Sequence, residues 1–255
     1  MIEVNDIHKS FGDTQVLKGI STTFNKGKTN LIIGQSGSGK TVFLKCLLGL
    51  FSPEEGSIAY DGRDYSKLTG DERRDLRQEM GMVFQGSALF DSMTVEGNVR
   101  FPLEMFTKQS KSEKQDRVDF VLKRVNLTEA YDRFPSQISG GMQKRVAIAR
   151  AIVMNPKYLF CDEPNSGLDP KTATLIDNLI QEITEEYDIT TVINTHDMNS
   201  VMEIGEKIIF LKDGIKEWEG TKHEIFKTDN EAVTGFVYSS ELFEKVRQMY
   251  IEERN

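Results

Sequence analysis

Eight consecutive residues, Gly34-Gln35-Ser36-Gly37-Ser38-Gly39-Lys40-Thr41, carry the G-x-x-x-x-G-K-[ST] spacing that can wrap a polyphosphate. Before them, Asn30 to Ile33 reads as a short buried strand, and after them Val42 to Leu48 reads as a buried helix. A strand, a loop and a helix in that order are the context this spacing needs. The glycines let backbone N–H groups turn inward with no Cβ in the way. The helix N-terminus adds about half a positive charge aimed at the same anion. Lys40 is spaced to reach the β- and γ-phosphates, and the Thr41 hydroxyl to ligate Mg²⁺. The stretch predicts a nucleotide site.

Four further groups of residues could complete it. Asp162-Glu163 end the apolar run Tyr158 to Cys161, at the carboxyl edge where α/β sheets hold ligands. Asp162 suits Mg²⁺, directly or through water, and Glu163 suits a general base that polarises the attacking water. The plainer alternative, an acidic loop start aided by Pro164, loses weight once a phosphate loop is present. His196 follows another apolar run and is the only one of three histidines so placed. It would contact the γ-phosphate or position the water. Ser139-Gly140-Gly141 opens a helix from Met142 to Met154, either as a second anion site or as a simple N-cap. Gln85, just past the strand Gly81 to Phe84, would contact Mg²⁺ or the water.

The elements that must position these groups alternate. Ile2, Val4 and Ile7, then Val16-Leu17 and Ile20 to Phe24, predict a small antiparallel sheet, and Asp61-Gly62 a hairpin. Residues from about 85 to 156, with helical spacing over Ser112 to Val125 and Gly141 to Met154, predict an inserted helical lobe. The helix from Lys171 to Glu186 is expected to bury Leu175, Ile176, Leu179, Ile180 and Ile183. Thr190 to Asn194 and Lys207 to Leu211 read as further strands. Strands alternating with helices imply an α/β fold with a mostly parallel sheet covered on both faces. The expected organisation is one domain over residues 1–255, with a core of 1–84 and 157–220, a helical subdomain of 85–156 and a C-terminal helical extension of 221–255.

Composition narrows the class. A net charge of −8 argues against nucleic acid as the main partner, since that affinity comes from Lys and Arg on phosphates. The short basic clusters, among them Arg73-Arg74, Lys108 to Lys114 and Lys144-Arg145, read as solvated faces. No stretch approaches the about 18 uninterrupted apolar residues that a span needs, and Met1 to Asp6 does not read as a secretory signal. Cys46 and Cys161 lack metal or redox spacing and are expected to be reduced packing residues.

Taken together, the motifs resemble those of the ATP-binding subunit of an ABC transporter, over nearly the whole chain. Gly34 to Thr41 matches the Walker A motif, with Val42 continuing the cofactor-binding set, and Asp162-Glu163 matches the Walker B pair. Gln85 matches the Q-loop, Ser139-Gly140-Gly141 the signature, Ser166-Gly167-Leu168-Asp169 the D-loop and His196 the H-loop. Phe11 falls where the family carries an aromatic that stacks on adenine. The resemblance implies a P-loop ATPase fold binding ATP and Mg²⁺, and a homodimer with two ATP molecules between subunits. Each site would take its phosphate loop from one chain and Ser139-Gly140-Gly141 from the other. Two departures, Met142 for the common Gln and Phe11 for the commoner Tyr, remove no catalytic group.

Within the family, Phe84 to Val95 and Met142 are similar to the ATPases of Mla/MCE phospholipid transporters. That likeness implies a permease docking near Gln85 to Val95 and an MCE-type lipid-binding protein as a further partner. It also implies a cytoplasmic position on the inner face of the cell membrane. The C-terminal extension is expected to join the dimer or to bind a small regulatory subunit. Two other readings stand beside this one: the ATPase of a different ABC transporter, or a soluble ABC ATPase of iron–sulfur assembly or cell division. A nucleic-acid role is the weakest, because such relatives carry two cassettes or a long coiled-coil insertion.

Overall fold

The alternation at the start of the chain becomes a long antiparallel pair in a computed structural model that describes residues 1–238. Ile2, Val4 and Ile7 point into the protein from β1 (Ile2–Phe11), which pairs with β2 (Thr14–Phe24). The chain then crosses into β3 (Thr29–Ile33), whose five residues are all buried, and turns through Gly34–Gly39 into α1 (Lys40–Leu47). It returns to the first sheet as β4 (Glu55–Tyr60) and β5 (Arg63–Asp64), giving the order β2-β1-β4-β5. A charged helix, α2 (Gly70–Gln78), starts on a capping box between Thr69 and Glu72 and leads to β6 (Met80–Val83).

Three helices follow without a strand: α3 (Val95–Phe106), α4 (Lys111–Arg124) and α5 (Gly140–Ile152). The spacing predicted the last two but not α3, which carries Pro102 in its interior. A proline there removes one N–H from the ladder. The helix persists because Val95, Val99 and Leu103 form one fully buried stripe. The core resumes at β7 (Tyr158–Asp162), followed by α6 (Pro170–Glu186), β8 (Thr190–Asn194), α7 (Met198–Ile204), β9 (Lys207–Lys212), β10 (Ile215–Gly220) and α8 (Glu231–Val237).

The second sheet has six strands in the order β10-β9-β3-β8-β7-β6, all parallel except the edge strand β10. Successive residues of its central strands feed two cores on opposite faces: Leu31, Leu159, Cys161 and Ile193 on one side, Ile32, Tyr158, Phe160 and Val192 on the other. Burial pushes the thiol pKa of Cys161 up, and that of Cys46 up to about 11, so both are inert packing groups.

One expected face is wrong. On α6 the buried stripe runs through Ala173, Ile176, Ile180 and Ile183, whereas Leu175 is 60% exposed and Leu179 only partly buried. The buried face also takes in Asp177 and Thr184, while Leu175 and Leu179 line a cavity at the surface. Asn165 Nδ2 donates to Asp177 Oδ2 at 3.1 Å and to Ser200 Oγ at 2.8 Å, tying the loop after β7 to α6 and α7. Phe236 and Tyr238 pack on the core, through Phe210 and the Phe226 carbonyl, while Leu242, Phe243, Val246 and Tyr250 lie outside the described residues.

Two outcomes follow from buried polar groups. Asn98 is fully buried and latches the turn before α3, accepting from Phe90 N at 2.8 Å and lying within hydrogen-bond reach of the Phe90, Met93 and Thr94 carbonyls. Asn98→Ala should lower the unfolding free energy by roughly 2–4 kcal/mol in urea titrations, because the turn's polar groups stay buried without partners. Asp177 has its pKa raised from 3.8 to about 6, chiefly by burial. A carboxyl raised in the folded state makes the protein most stable below about pH 4 and progressively less so up to about pH 6. Asp177→Asn should remove that loss, on the order of 2–3 kcal/mol, when unfolding is compared at pH 4 and pH 7.

Candidate nucleotide site

The phosphate loop is shaped by close approach. A Cβ on Gly34 would lie 2.1 Å from the Leu211 carbonyl, so only glycine fits where β3 leaves the sheet. Gly39, in the left-handed region at φ 99°, caps α1 without any side-chain acceptor, which leaves the helix's first N–H groups to an incoming anion. Lys40 is buried and donates to the carbonyls of Gly34 at 2.8 Å and Gln35 at 3.0 Å. Burial lowers its pKa, and the nearby charges of Glu163 and Asp162 oppose that shift.

Three parallel strands end together beside this loop. Asp162 of β7 is in register with Asn194 of β8, and Asn194 with Ile32 of β3. Asn194 Nδ2 lies 2.5 Å from Asp162 Oδ1 and 3.4 Å from Thr41 Oγ1, so one amide aligns both predicted metal ligands. The Asn194 carbonyl also accepts the Glu163 N–H at 2.8 Å. Glu163 is 9% exposed and held at φ 48°, a left-handed conformation costing about 1–3 kcal/mol. Its Oε1 lies 2.7 Å from His196 Nδ1, which orients both side chains toward the cavity. Gln85 Nε2 donates to Ser166 Oγ at 3.3 Å from the far wall.

The cavity, of about 690 Å³, is therefore lined by Gln35, Ser36, Gly37, Gly39, Lys40, Thr41, Val42, Gln85, Asp162, Glu163 and His196. Gly34 and Ser38 shape the loop from behind. Asn194 was missed as a site residue, although its place at the end of an apolar strand two residues before His196 was a signal. Val16 and Phe236 also line the cavity without sequence warning. Phe11 stands outside it, 45% exposed and edge-on to Phe51 at 5.2 Å.

Ser139, Gly140, Gly141 and Asp169 line a different cavity, of about 830 Å³. Ser139 caps α5 by accepting from Met142 N at 3.3 Å. Asp169 caps α6, accepting from Thr172 N at 3.1 Å. The N-termini of α1 and α5 thus open on different cavities of one chain. Lys144 departs from the expected solvated face: it is 5% exposed and donates to the Gln85 carbonyl. Lys114 departs likewise, 7% exposed against Glu104.

A divalent cation fits the donors present. Thr41 and Asp162 offer hard oxygen ligands, and the buried Asn194 Oδ1 has no hydrogen-bond partner among the described residues. No cluster of three or more His, Cys, Asp or Glu that could hold a metal occurs among the described residues. That pattern suits Mg²⁺, which is held by one or two protein groups together with phosphate oxygens rather than by an all-protein cage.

Comparison with known proteins agrees with this geometry. The ABC transporter family model matches residues 17–166. The methionine import ATP-binding protein MetN of Clostridium tetani is 44% identical over 216 residues, covering 85% of this chain and 67% of that protein. The probable ribonucleotide transport ATP-binding protein mkl of Mycobacterium bovis is 38% identical over 236 residues, covering 92% and 66%. The chain thus spans about two thirds of the length of these curated relatives. A solved dimer of the ATP-binding cassette MJ0796 in a post-hydrolysis state, with ADP and Pi, superimposes with a TM-score of 0.78 at 35% identity, covering 87% of this chain and 99% of the other. On the family model and these relatives, the chain belongs to the ABC transporter family, as an ATP-binding and ATP-hydrolysing domain.

Proposed function

We propose that the chain acts as a homodimer that hydrolyses ATP to drive a membrane permease, and that the cargo is phospholipid. The observation that carries the permease reading is an apolar groove of about 760 Å³ beside Gln85, lined by Met82, Phe84, Phe90, Phe101 and Phe106. Phe84, Phe90 and Phe106 are 44%, 41% and 50% exposed, and Arg74, Arg77 and Arg150 flank them. An amphipathic helix with an acidic edge fits such a surface. Of the predicted docking stretch, Leu89 packs inward on the helical lobe, while Phe90 faces the groove and leans on Phe101 at 4.7 Å. Phospholipid as cargo rests on the likeness of Phe84 to Val95, and of Met142, to lipid-transport ATPases. An MCE-type protein and a small regulatory subunit would complete that assembly at the inner face of the cell membrane. Among the described residues no helix is long and apolar enough to cross a membrane. A small-solute importer is the second reading, favoured by the relative named for methionine import.

Hydrolysis follows from the groups at the strand ends. In this reading a water attacks the γ-phosphorus in line, and the Glu163 carboxylate takes its proton as the bond to phosphorus forms and the bond to the β-phosphate oxygen breaks. His196 Nδ1 holds that carboxylate, and Lys40 with the N-terminus of α1 offsets charge on the phosphate oxygens. Mg²⁺, held by Thr41 and Asp162 with Gln85 toward it or its water, would neutralise the β- and γ-oxygens. Phe11 would stack on adenine. The Ser139-Gly140-Gly141 turn and Asp169 of the second copy would close the site.

Glu163→Gln should reduce ATP turnover by about 10²–10⁴ while leaving ATP binding intact, as loss of a general base does. Lys40→Ala should instead raise the Kd for ATP, read by equilibrium binding. The transport assignment is tested by purifying the tagged Glu163→Gln protein from host membranes in Mg-ATP and identifying co-purified proteins and lipids by mass spectrometry. A permease with an MCE-type protein and phospholipid is the expected outcome. A permease with a solute-binding protein would move the cargo to a small solute, and soluble partners alone would end the transport reading.

A further inference from the structure

The loop that joins the nucleotide cavity to the groove is held in an unfavourable shape by one helix. After β6, Ser87 and Ala88 lie in the left-handed region at φ 62° and 47°, two successive non-glycine residues in a conformation that L-residues avoid. The loop's own bonds, Ser87 N to the Phe84 carbonyl and Ala88 N to the Gly86 carbonyl, leave the carbonyls of Gln85, Ser87 and Ala88 facing α5. Two cations of α5 take all three. Lys144 Nζ donates to the Gln85 carbonyl, and Arg150 donates to the Ser87 and Ala88 carbonyls at 2.7 Å each. Neither cation makes an ion pair among the described residues, and burial lowers the pKa of both, with Glu163 opposing that shift at Lys144. Donor-rich, carboxylate-free and largely enclosed, they are matched to backbone oxygens.

We propose that Lys144 is a positioning residue for ATP hydrolysis: it fixes the Gln85 backbone to the signature helix, so that the Gln85 amide takes its place in the cavity from α5. Arg150 does the same for Ala88 and Phe90 at the groove. The proposal rests on the roles given above to Gln85 and to the groove. Because α5 is a rigid helix of 13 residues starting at Ser139, a shift at its N-terminus moves Lys144 and Arg150 with it. Contact at Ser139, the place of Gln85 and the floor of the groove are thereby one mechanical unit.

The test is a double-mutant cycle on the full-length chain, reading kcat and KM for Mg-ATP in Gln85→Ala, Lys144→Met, Lys144→Arg and the combined Gln85→Ala/Lys144→Met protein. Expected is a fall in kcat of about tenfold for Lys144→Met with KM changed less than about twofold, recovered by Lys144→Arg, which can still donate. In the Gln85→Ala background, Lys144→Met should change kcat by less than about twofold, since the residue it positions is gone. Factors that multiply, or a Lys144→Met protein with wild-type kcat, would overturn the proposal. Lys144→Ala, which likewise removes the donor, carries the same cycle if the methionine variant does not fold. Wild-type turnover in Gln85→Ala would remove the role of Gln85 and the proposal with it; a slow Gln85→Ala protein with multiplying factors would overturn the proposal alone.

Discussion

The catalytic half of the molecule depends on three parallel strands ending in register. Asn194 is the residue where that alignment becomes chemistry. Its amide spans Asp162 and Thr41, and its carbonyl holds the Glu163 N–H. A slip of one residue between β7 and β8 would turn each side chain of the slipped strand to the other face of the sheet. It would also separate Asp162 from the loop it faces. The slip is prevented by burial on both faces, since Leu159 and Cys161 fill one core while Tyr158 and Phe160 fill the other. Packing within the sheet is therefore what sets the positions of the candidate site's residues.

The strained residues sit where this rigid frame meets solvent. Glu163 at φ 48°, and Ser87 and Ala88 at φ 62° and 47°, are each held by hydrogen bonds from a neighbouring element. Strain of this kind persists only where the surroundings over-determine the backbone. At Glu163 it turns the carboxylate back over the strand ends toward His196. In the Gln85 loop it directs three carbonyls at α5 and leaves the Gln85 side chain to the cavity. Each bend follows a strand, β7 or β6, and places a side chain that the strand could not present alone.

What the sequence revealed was what is local. The phosphate loop, the Asp162-Glu163 pair and His196 each announce themselves by spacing next to an apolar run, and the parallel sheet follows from strands alternating with helices. The residues that escaped notice act across long separations. Asn194 works on Asp162 and Thr41, distant in sequence, and Lys144 reads as a surface charge until its contact with Gln85, 59 positions away, buries it. Helix α3 was hidden by Pro102, which argues against a helix locally while a buried stripe of valines and leucine argues for one in the fold. Leu175 was assigned to the core because leucine fits a helical stripe. The face that is buried, however, runs through Ile176, Asp177 and Ile180, with Asp177 held by Asn165, and leaves Leu175 on a surface cavity.

The separation of the two helix starts has an electrostatic consequence for the proposed dimer. The N-termini of α1 and α5 each present about half a positive charge, and Lys40 adds a full one beside α1. Within one chain they open on different cavities and do not repel each other at close range. Facing each other across two copies they would repel, unless an anion lies between them. In the proposed dimer a nucleoside triphosphate would supply that charge, with its terminal phosphate toward the second helix. Cleaving the γ-phosphate breaks the covalent link between the anion on one copy and the anion facing the other. In the proposed dimer the attraction between the copies would then fall, and with it the contact that ties α5, and through it Gln85 and the groove, to the nucleotide.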